Sequence, residues 1–177
     1  ERLLDIGCGW GSMAIHAAAN YGVDVVGVTL SVAQAERARE RVAEAGLADK
    51  VEIRIQDYRE VSDGPYDKLC SIGMFEHTGS DIDHYFEATA KLGRPGGLAL
   101  HHGICRQHSD EESPNTFITH YVFPDGLLHR AARVIAGLER SGQELRDVEN
   151  LREHYALTLR HWVQNLADNQ EAAIAEV

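Results

Sequence analysis

The chain has 177 residues, 44% hydrophobic and 25% charged, enough for one domain with its own core. Its formal net charge of −11 argues against a nucleic-acid partner, which would need clustered Lys and Arg, and offers no polybasic handle to an anionic membrane. No apolar run approaches the roughly 20 residues of a membrane span, and Cys8, Cys70 and Cys105 have neither disulfide-framework nor zinc spacing.

A short strand, "RLLDIG" (2–7), runs at once into glycines and a helix from about Gly11 to Tyr21. "VDVVGVT" (23–29) is a second strand. Ser31 is a candidate N-cap for a helix over 32–45, which Gly46 ends. "KVEIRI" (50–55) alternates like a half-buried strand, and "YDKLCSIG" (66–73) is a fourth. A helix over 81–92 ends at Gly93, and "GGLALHHGI" (96–104) is a fifth strand. Residues 105–126 are irregular, 127–141 helical, 144–150 a sixth strand at a sheet edge, and 153–167 helical. Strands alternating with helices predict an α/β fold, a Rossmann-like doubly wound and mostly parallel sheet with helices on both faces. The 177 residues read as a single domain. The chain opens at Glu1, two residues before a strand, so it reads as a piece of a longer protein and its lack of a signal peptide carries no weight.

The segment "LLDIGCGWG" (3–11) places Gly7, Gly9 and Gly11 at the first strand-to-helix turn, where glycine lets backbone approach a ligand. A plain tight turn would also use them. Three features favour a ligand loop. Asp5 lies inside an apolar strand end, where a carboxylate needs hydrogen bonds from the loop or a cationic group. Ser12 stands where a dinucleotide fingerprint has its third glycine, and Trp10 fills the space a pyrophosphate would take. A nucleoside without a diphosphate fits better. S-adenosylmethionine is such a cofactor, with an ammonium that can meet a carboxylate. The second strand ends "VTLSVAQ" (28–34) without the usual acid for ribose hydroxyls, so Thr29, Ser31 and Gln34 stand in for it, unless Ser31 only caps its helix. After the third strand, Asp57 can accept from an adenine amino group and Tyr58 can form an apolar wall.

"LLDIGCGWG", "GVTLSVAQ", "QDYRE", "SIGMFEHTG", "YVFPDG" and "HYALTL" occur in one order along nearly the whole chain. Together they resemble the cyclopropane-fatty-acyl-phospholipid synthase and mycolic acid cyclopropane synthase family of class I methyltransferases. The resemblance implies transfer of a methyl or methylene group from S-adenosylmethionine to the double bond of an unsaturated lipid acyl chain. It implies a cofactor site formed by Asp5, Gly7, Cys8, Gly9, Trp10 and Gly11, by Thr29, Leu30, Ser31 and Gln34, and by Asp57, Tyr58 and Ile72. It implies a cytoplasmic enzyme, with contact at a membrane surface left open. It also implies segments before and after these residues that help to close the site.

An alkene that attacks a sulfonium methyl is left with positive charge, so the reaction needs a dry pocket and a small, held base. The resemblance implies bicarbonate in that role, bound by Glu76, His102, the backbone of Ile104, and Tyr155. Glu76 lies in "SIGMFEH" (71–77), just past a strand end, where a carboxylate often merely caps a helix. His101 and His102 are adjacent on a strand and face opposite ways, so only one enters the site. The family carries Leu before its histidine and Thr after it, so His101 and Gly103 depart from its pattern. Tyr155 shares a helix with Leu157, Leu159, Trp162 and Leu166, and a core role for that helix is the competing reading. Two other functions share the scaffold: a methyltransferase for a small amine, and an inactive cofactor-binding module.

Overall fold

The computed structural model describes residues 1–106, 117–122 and 126–176. They form two compact units, 1–144 and 145–177, each described by itself below.

The first unit is built on five parallel strands: β1 (Arg2–Ile6), β2 (Asp24–Thr29), β3 (Val51–Ile55), β4 (Tyr66–Ile72) and β5 (Gly93–His102), in spatial order β3-β2-β1-β4-β5. The chain winds outward from β1 through β2 to β3, then returns to the other side of β1 as β4. The strand order therefore reverses between β1 and β4, the place where open α/β sheets bind ligands beyond their carboxyl ends. Alternation sets the two faces. Leu3, Val25, Val51, Ile53 and Cys70 pack on one side with Ala14, Ala17 and Ala18 of α1 (Ser12–Tyr21) and Ala35 and Ala38 of α2 (Val32–Glu44). Leu4, Ile6, Val26, Val28 and Leu69 pack on the other with Tyr66 and Leu92. Small alanines let both helices lie close on the sheet.

Helix ends follow local chemistry. The Ser31 Oγ accepts from the Gln34 N–H at 3.3 Å to start α2, and the Asp81 carboxylate accepts from the His84 N–H at 3.1 Å to start α3 (Ile82–Leu92). Gly93 ends α3 in an extended conformation, so β5 begins there, three residues before the expected 96. Asp83 of α3 accepts from Arg133 and Arg140 of α4 (Ala131–Arg140), at 2.6 Å in each case, which ties the two helices together.

The expected sixth strand over 144–150 is absent: these residues carry no regular structure. Leu145 and Val148 are their only branched apolar residues, three apart rather than two, and Glu144, Arg146, Asp147 and Glu149 surround them. The irregular stretch expected over 105–126 contains a π-helical turn at Ile118–Val122, and its residues 107–116 and 123–125, the "FPD" of "YVFPDG", lie outside the described residues. The second unit holds α5 (Arg152–Asp168) and a further short helix, α6 (Gln170–Ala175), that the sequence pattern did not indicate. Leu157, Leu159, Trp162 and Leu166 of α5 are exposed and not a core face. Among the described residues no helix is long and apolar enough to cross a membrane.

Candidate active site

The five strand ends deliver the candidate residues of the first unit to one rim. From one edge to the other come Asp57 and Tyr58 after β3, Thr29–Gln34 after β2, Gly7–Gly11 after β1, Ile72–Glu76 at β4, and His102–Ile104 at β5. At the switch point the two inner loops touch: a Cβ on Gly7, which has φ +75°, would sit 2.9 Å from Met74 Cγ. Only glycine allows both that φ and that approach.

The glycine loop is fixed by its own backbone. The Gly7 and Cys8 N–H groups donate to the Val28 carbonyl at 2.9 and 3.0 Å, and the Gly11 N–H donates to the Cys8 carbonyl at 2.9 Å. Cys8 therefore faces inward: its thiol is in the core, and burial, with the Asp5 charge second, pushes it up to about 12. From α2, Arg41 Nη1 donates to the Trp10 carbonyl at 2.6 Å and to the Ser12 Oγ at 3.0 Å. Nothing in the residue pattern pointed to that clamp, because an arginine on a polar helix face looks solvated. Trp10 itself is exposed.

Asp5 is 2% exposed, its Oδ2 has no hydrogen-bond partner, and burial pushes its carboxyl up to about 7. A buried carboxylate oxygen without a donor is costly. The loop leaves that oxygen unsatisfied, so a cationic group of a ligand is the partner that fits.

At the end of β2, the buried Thr29 hydroxyl donates to Gln34 Oε1 at 2.9 Å and accepts from the Ser31 N–H at 3.2 Å. Ser31 does cap α2, which leaves the Gln34 side-chain N–H groups as donors for a ligand. Leu30 and Ile72 are exposed at the rim. Asp57 pairs with Arg59, whose hydrogen bonds hold its carboxyl below the usual range. It also accepts from the Arg59 N–H at 2.9 Å. A carboxylate has about four lone-pair sites, and these contacts use three of them. Tyr58 is half-buried and meets Tyr85 edge-on at 5.8 Å, which links the rim after β3 to the aromatic cluster beneath Glu76.

Glu76 sits in a single 3-10 turn, Phe75–His77, and is 5% exposed. Its Oε1 accepts from the Ile104 N–H at 3.3 Å, while its Oε2 is buried with no partner. Asp81, not Glu76, caps α3. The backbone donor expected from Ile104 is thus directed to Glu76 itself. His101 and His102 face opposite ways, as expected on a strand. The His101 Nδ1 accepts from the Tyr85 hydroxyl at 2.9 Å, with Gln143 Oε1 3.4 Å from Nε2, and burial holds its imidazolium below the usual range. His102 is exposed at the end of β5. Tyr155 belongs to the second unit, half-exposed on α5 with its ring 6.1 Å from Trp162. Among the described residues no group of three or more His, Cys, Asp or Glu could hold a metal ion.

The family model for mycolic acid cyclopropane synthetase matches residues 1–177. The chain belongs to this family. It is 44% identical over 183 residues to a probable fatty acid methyltransferase of Pseudomonas putida, covering 100% of this chain and 46% of that protein. Against the cyclopropane-fatty-acyl-phospholipid synthase of Escherichia coli K12 it is 40% identical over 164 residues, covering 92% of this chain and 41% of that one. It thus spans less than half the length of both relatives. The structure of the cyclopropane synthase MmaA2 from Mycobacterium tuberculosis superposes with a TM-score of 0.88 at 32% identity, over 98% of this chain and 65% of that chain. The mycolic acid cyclopropane synthase CmaA1 complexed with SAH and CTAB gives 0.87 at 32% identity, with the same coverage. In this cyclopropane synthetase family member, Asp5 and Glu76 each leave a buried carboxylate oxygen without a partner.

Proposed function

We propose that the protein is an S-adenosylmethionine-dependent enzyme that transfers a methyl or methylene group to the double bond of an unsaturated lipid acyl chain, the 177 residues acting as one catalytic domain. The observation that carries this reading is the pair of buried carboxylates, Asp5 near the carboxyl end of β1 and Glu76 just past β4, each with an oxygen that has no partner, in a chain of this family. Its relatives include a protein named as a probable fatty acid methyltransferase and a cyclopropane-fatty-acyl-phospholipid synthase, and a solved family structure carries SAH.

S-adenosylmethionine, when bound, supplies an electrophilic methyl group on a sulfonium. Asp5 takes its ammonium, an ion pair that offsets the burial of the carboxylate. The glycine loop lets backbone come close, Gln34 donates to the ribose, and Asp57 and Tyr58 receive the base. On the other side of the switch point, Glu76 Oε2 is an acceptor waiting for a donor. A small anion with its own hydroxyl, such as bicarbonate, suits that acceptor, with His102 at the neighbouring strand end as a further donor. Positive charge develops on an alkene when it is alkylated, and Glu76 favours it electrostatically and keeps a proton acceptor oriented there. The apolar Phe75 and Met74 around it keep water out. The substrate reaches this rim from a membrane surface by peripheral contact.

The test is mass spectrometry of lipids from a host that expresses the full-length protein. A gain of one CH2 unit on unsaturated acyl chains supports the reading. Unchanged lipids alongside methylation of a small amine would overturn it.

A further inference from the structure

We propose that His101 is a positioning residue that fastens the aromatic floor beneath Glu76 in neutral solution and releases it in acid. Its link to activity rests on the role given to Glu76 above. The family carries Leu at this place, so a working corner does not need a histidine. What His101 adds is a hydrogen bond that only its neutral ring can accept.

The bonds around the ring fix its tautomer. Gln143 Nε2 donates to the Phe86 carbonyl at 3.3 Å and to the Ser141 Oγ at 3.1 Å, so Oε1 is the Gln143 atom turned to His101. An amide oxygen only accepts, so His101 Nε2 carries the hydrogen and Nδ1 offers its lone pair to the Tyr85 hydroxyl, 2.9 Å away. Tyr85 is fully buried, and its ring meets Tyr58 at 5.8 Å, Phe75 at 6.5 Å and Phe86 at 5.0 Å. His101 thus holds, by its hydroxyl, the ring on which Phe75 rests, and Phe75 is the neighbour of Glu76.

Acid undoes this arrangement. A second proton goes to Nδ1, takes the lone pair that the Tyr85 hydroxyl uses, and leaves the ring charged. The groups facing that ring are neutral: Tyr85 and Phe86 from α3, Ser71 in register on β4, and Gln143 after α4. Of these only Tyr85 titrates, and burial keeps its hydroxyl protonated far above neutral pH. Glu76, Tyr58 and Cys70 bear on the Tyr85 hydroxyl, not on His101. The charges between α3 and α4, Asp83 with Arg133 and Arg140, pair with one another. Burial of His101 is therefore opposed only by the weaker pull of Gln143. A histidine held neutral in the folded state contributes stability that is complete above about pH 6.5 and is lost as pH falls below it. Asp5 works in the opposite sense. It lies on the other face of the sheet, in register with Cys70 where His101 is in register with Ser71, so differences against wild type isolate His101.

The test compares wild type, His101→Asn and His101→Leu in the full-length protein at about pH 7.5 and about pH 5.5, reading turnover on the lipid and melting temperature. The Asn oxygen stands close to where Nδ1 does and accepts from Tyr85 without titrating. His101→Asn is expected to keep turnover within about twofold of wild type at the higher pH and to exceed wild type about threefold or more at the lower. Its melting temperature gains about 2 °C or more on wild type between the two. His101→Leu loses the acceptor and the titration together. It melts lower than His101→Asn at the higher pH and shows the same relief in acid, so it decides the matter if His101→Asn does not fold. A turnover ratio, or a difference in melting temperature, that is the same at both pH values overturns the proposal and leaves the reading of Glu76 standing. A wild type inactive on unsaturated lipids overturns that reading and the positioning role with it.

Discussion

The two halves of the rim are built on different principles. Around β1 and β2 the polar groups mostly satisfy one another: Thr29 with Gln34, Ser31 with the start of α2, Arg41 with the Trp10–Ser12 turn, and the Gly7 and Cys8 N–H groups with Val28. That side is a preformed cradle with one flaw, the Asp5 oxygen. Around β4 and β5 the packing among the described residues is aromatic, and the flaw is Glu76 Oε2, held against a glycine. The cradle can bind without changing. On the proposed reading, the aromatic corner holds an unpartnered carboxylate oxygen for the reaction. The proposed function thus assigns binding and chemistry to different positions on the sheet, and the following experiments can break that division or sharpen it.

The largest effect is expected at Asp5. Its carboxyl is raised from 3.8 to about 7 by burial, a gap equivalent to ~4 kcal/mol. A raised carboxyl favours the protonated form in the folded state, so folding loses stability as pH climbs from about 4 to 7 and levels off above that. Asp5→Asn removes this dependence. Against wild type without cofactor, the variant gains on the order of 2–3 kcal/mol between pH 5 and pH 8 in urea titrations, yet binds S-adenosylmethionine more weakly. A constant stability difference across that range would mean that the carboxylate has a partner in the folded protein.

A smaller effect is expected at the clamp. Arg41→Ala frees the Trp10 carbonyl and the Ser12 hydroxyl and loosens the glycine loop. The exposed setting limits the loss to about 1 kcal/mol, or roughly three- to tenfold in cofactor affinity by calorimetry, with turnover at saturating cofactor unchanged. Unchanged affinity would show that the backbone bonds to Val28 hold the loop alone. Smallest is Ser31→Ala, which removes the α2 cap and should cost about 0.5–1 kcal/mol of stability. A loss of affinity much larger than this would indicate that the Ser31 hydroxyl meets the cofactor directly.

The sheet was legible because its signals are local. Valine-rich runs between helices, glycine at the first turn and Ser31 before α2 each carry their meaning within a few residues. The sixth strand failed because two apolar residues among four charges do not form an alternating face, and the short α6 has too few turns to show a period. In the site, Asp5 and Glu76 were legible as carboxylates in apolar company. What could not be read was pairing across the fold. Arg41 reaches a loop about thirty residues earlier in sequence, and the Ile104 N–H turns to Glu76. Gly103 stood out only as an irregularity, because the Phe75 ring and the carboxylate that crowd it come from another strand end.

The division of the rim is tested most directly by Glu76→Gln in the full-length protein, with turnover on an unsaturated acyl lipid and cofactor affinity measured side by side. Glutamine keeps the shape and removes the charge. The account predicts that affinity for S-adenosylmethionine stays within about threefold while turnover falls by on the order of 2–4 kcal/mol in the barrier, roughly thirty- to a thousandfold. Turnover near wild type, or a loss of affinity as large as the loss of turnover, would contradict it.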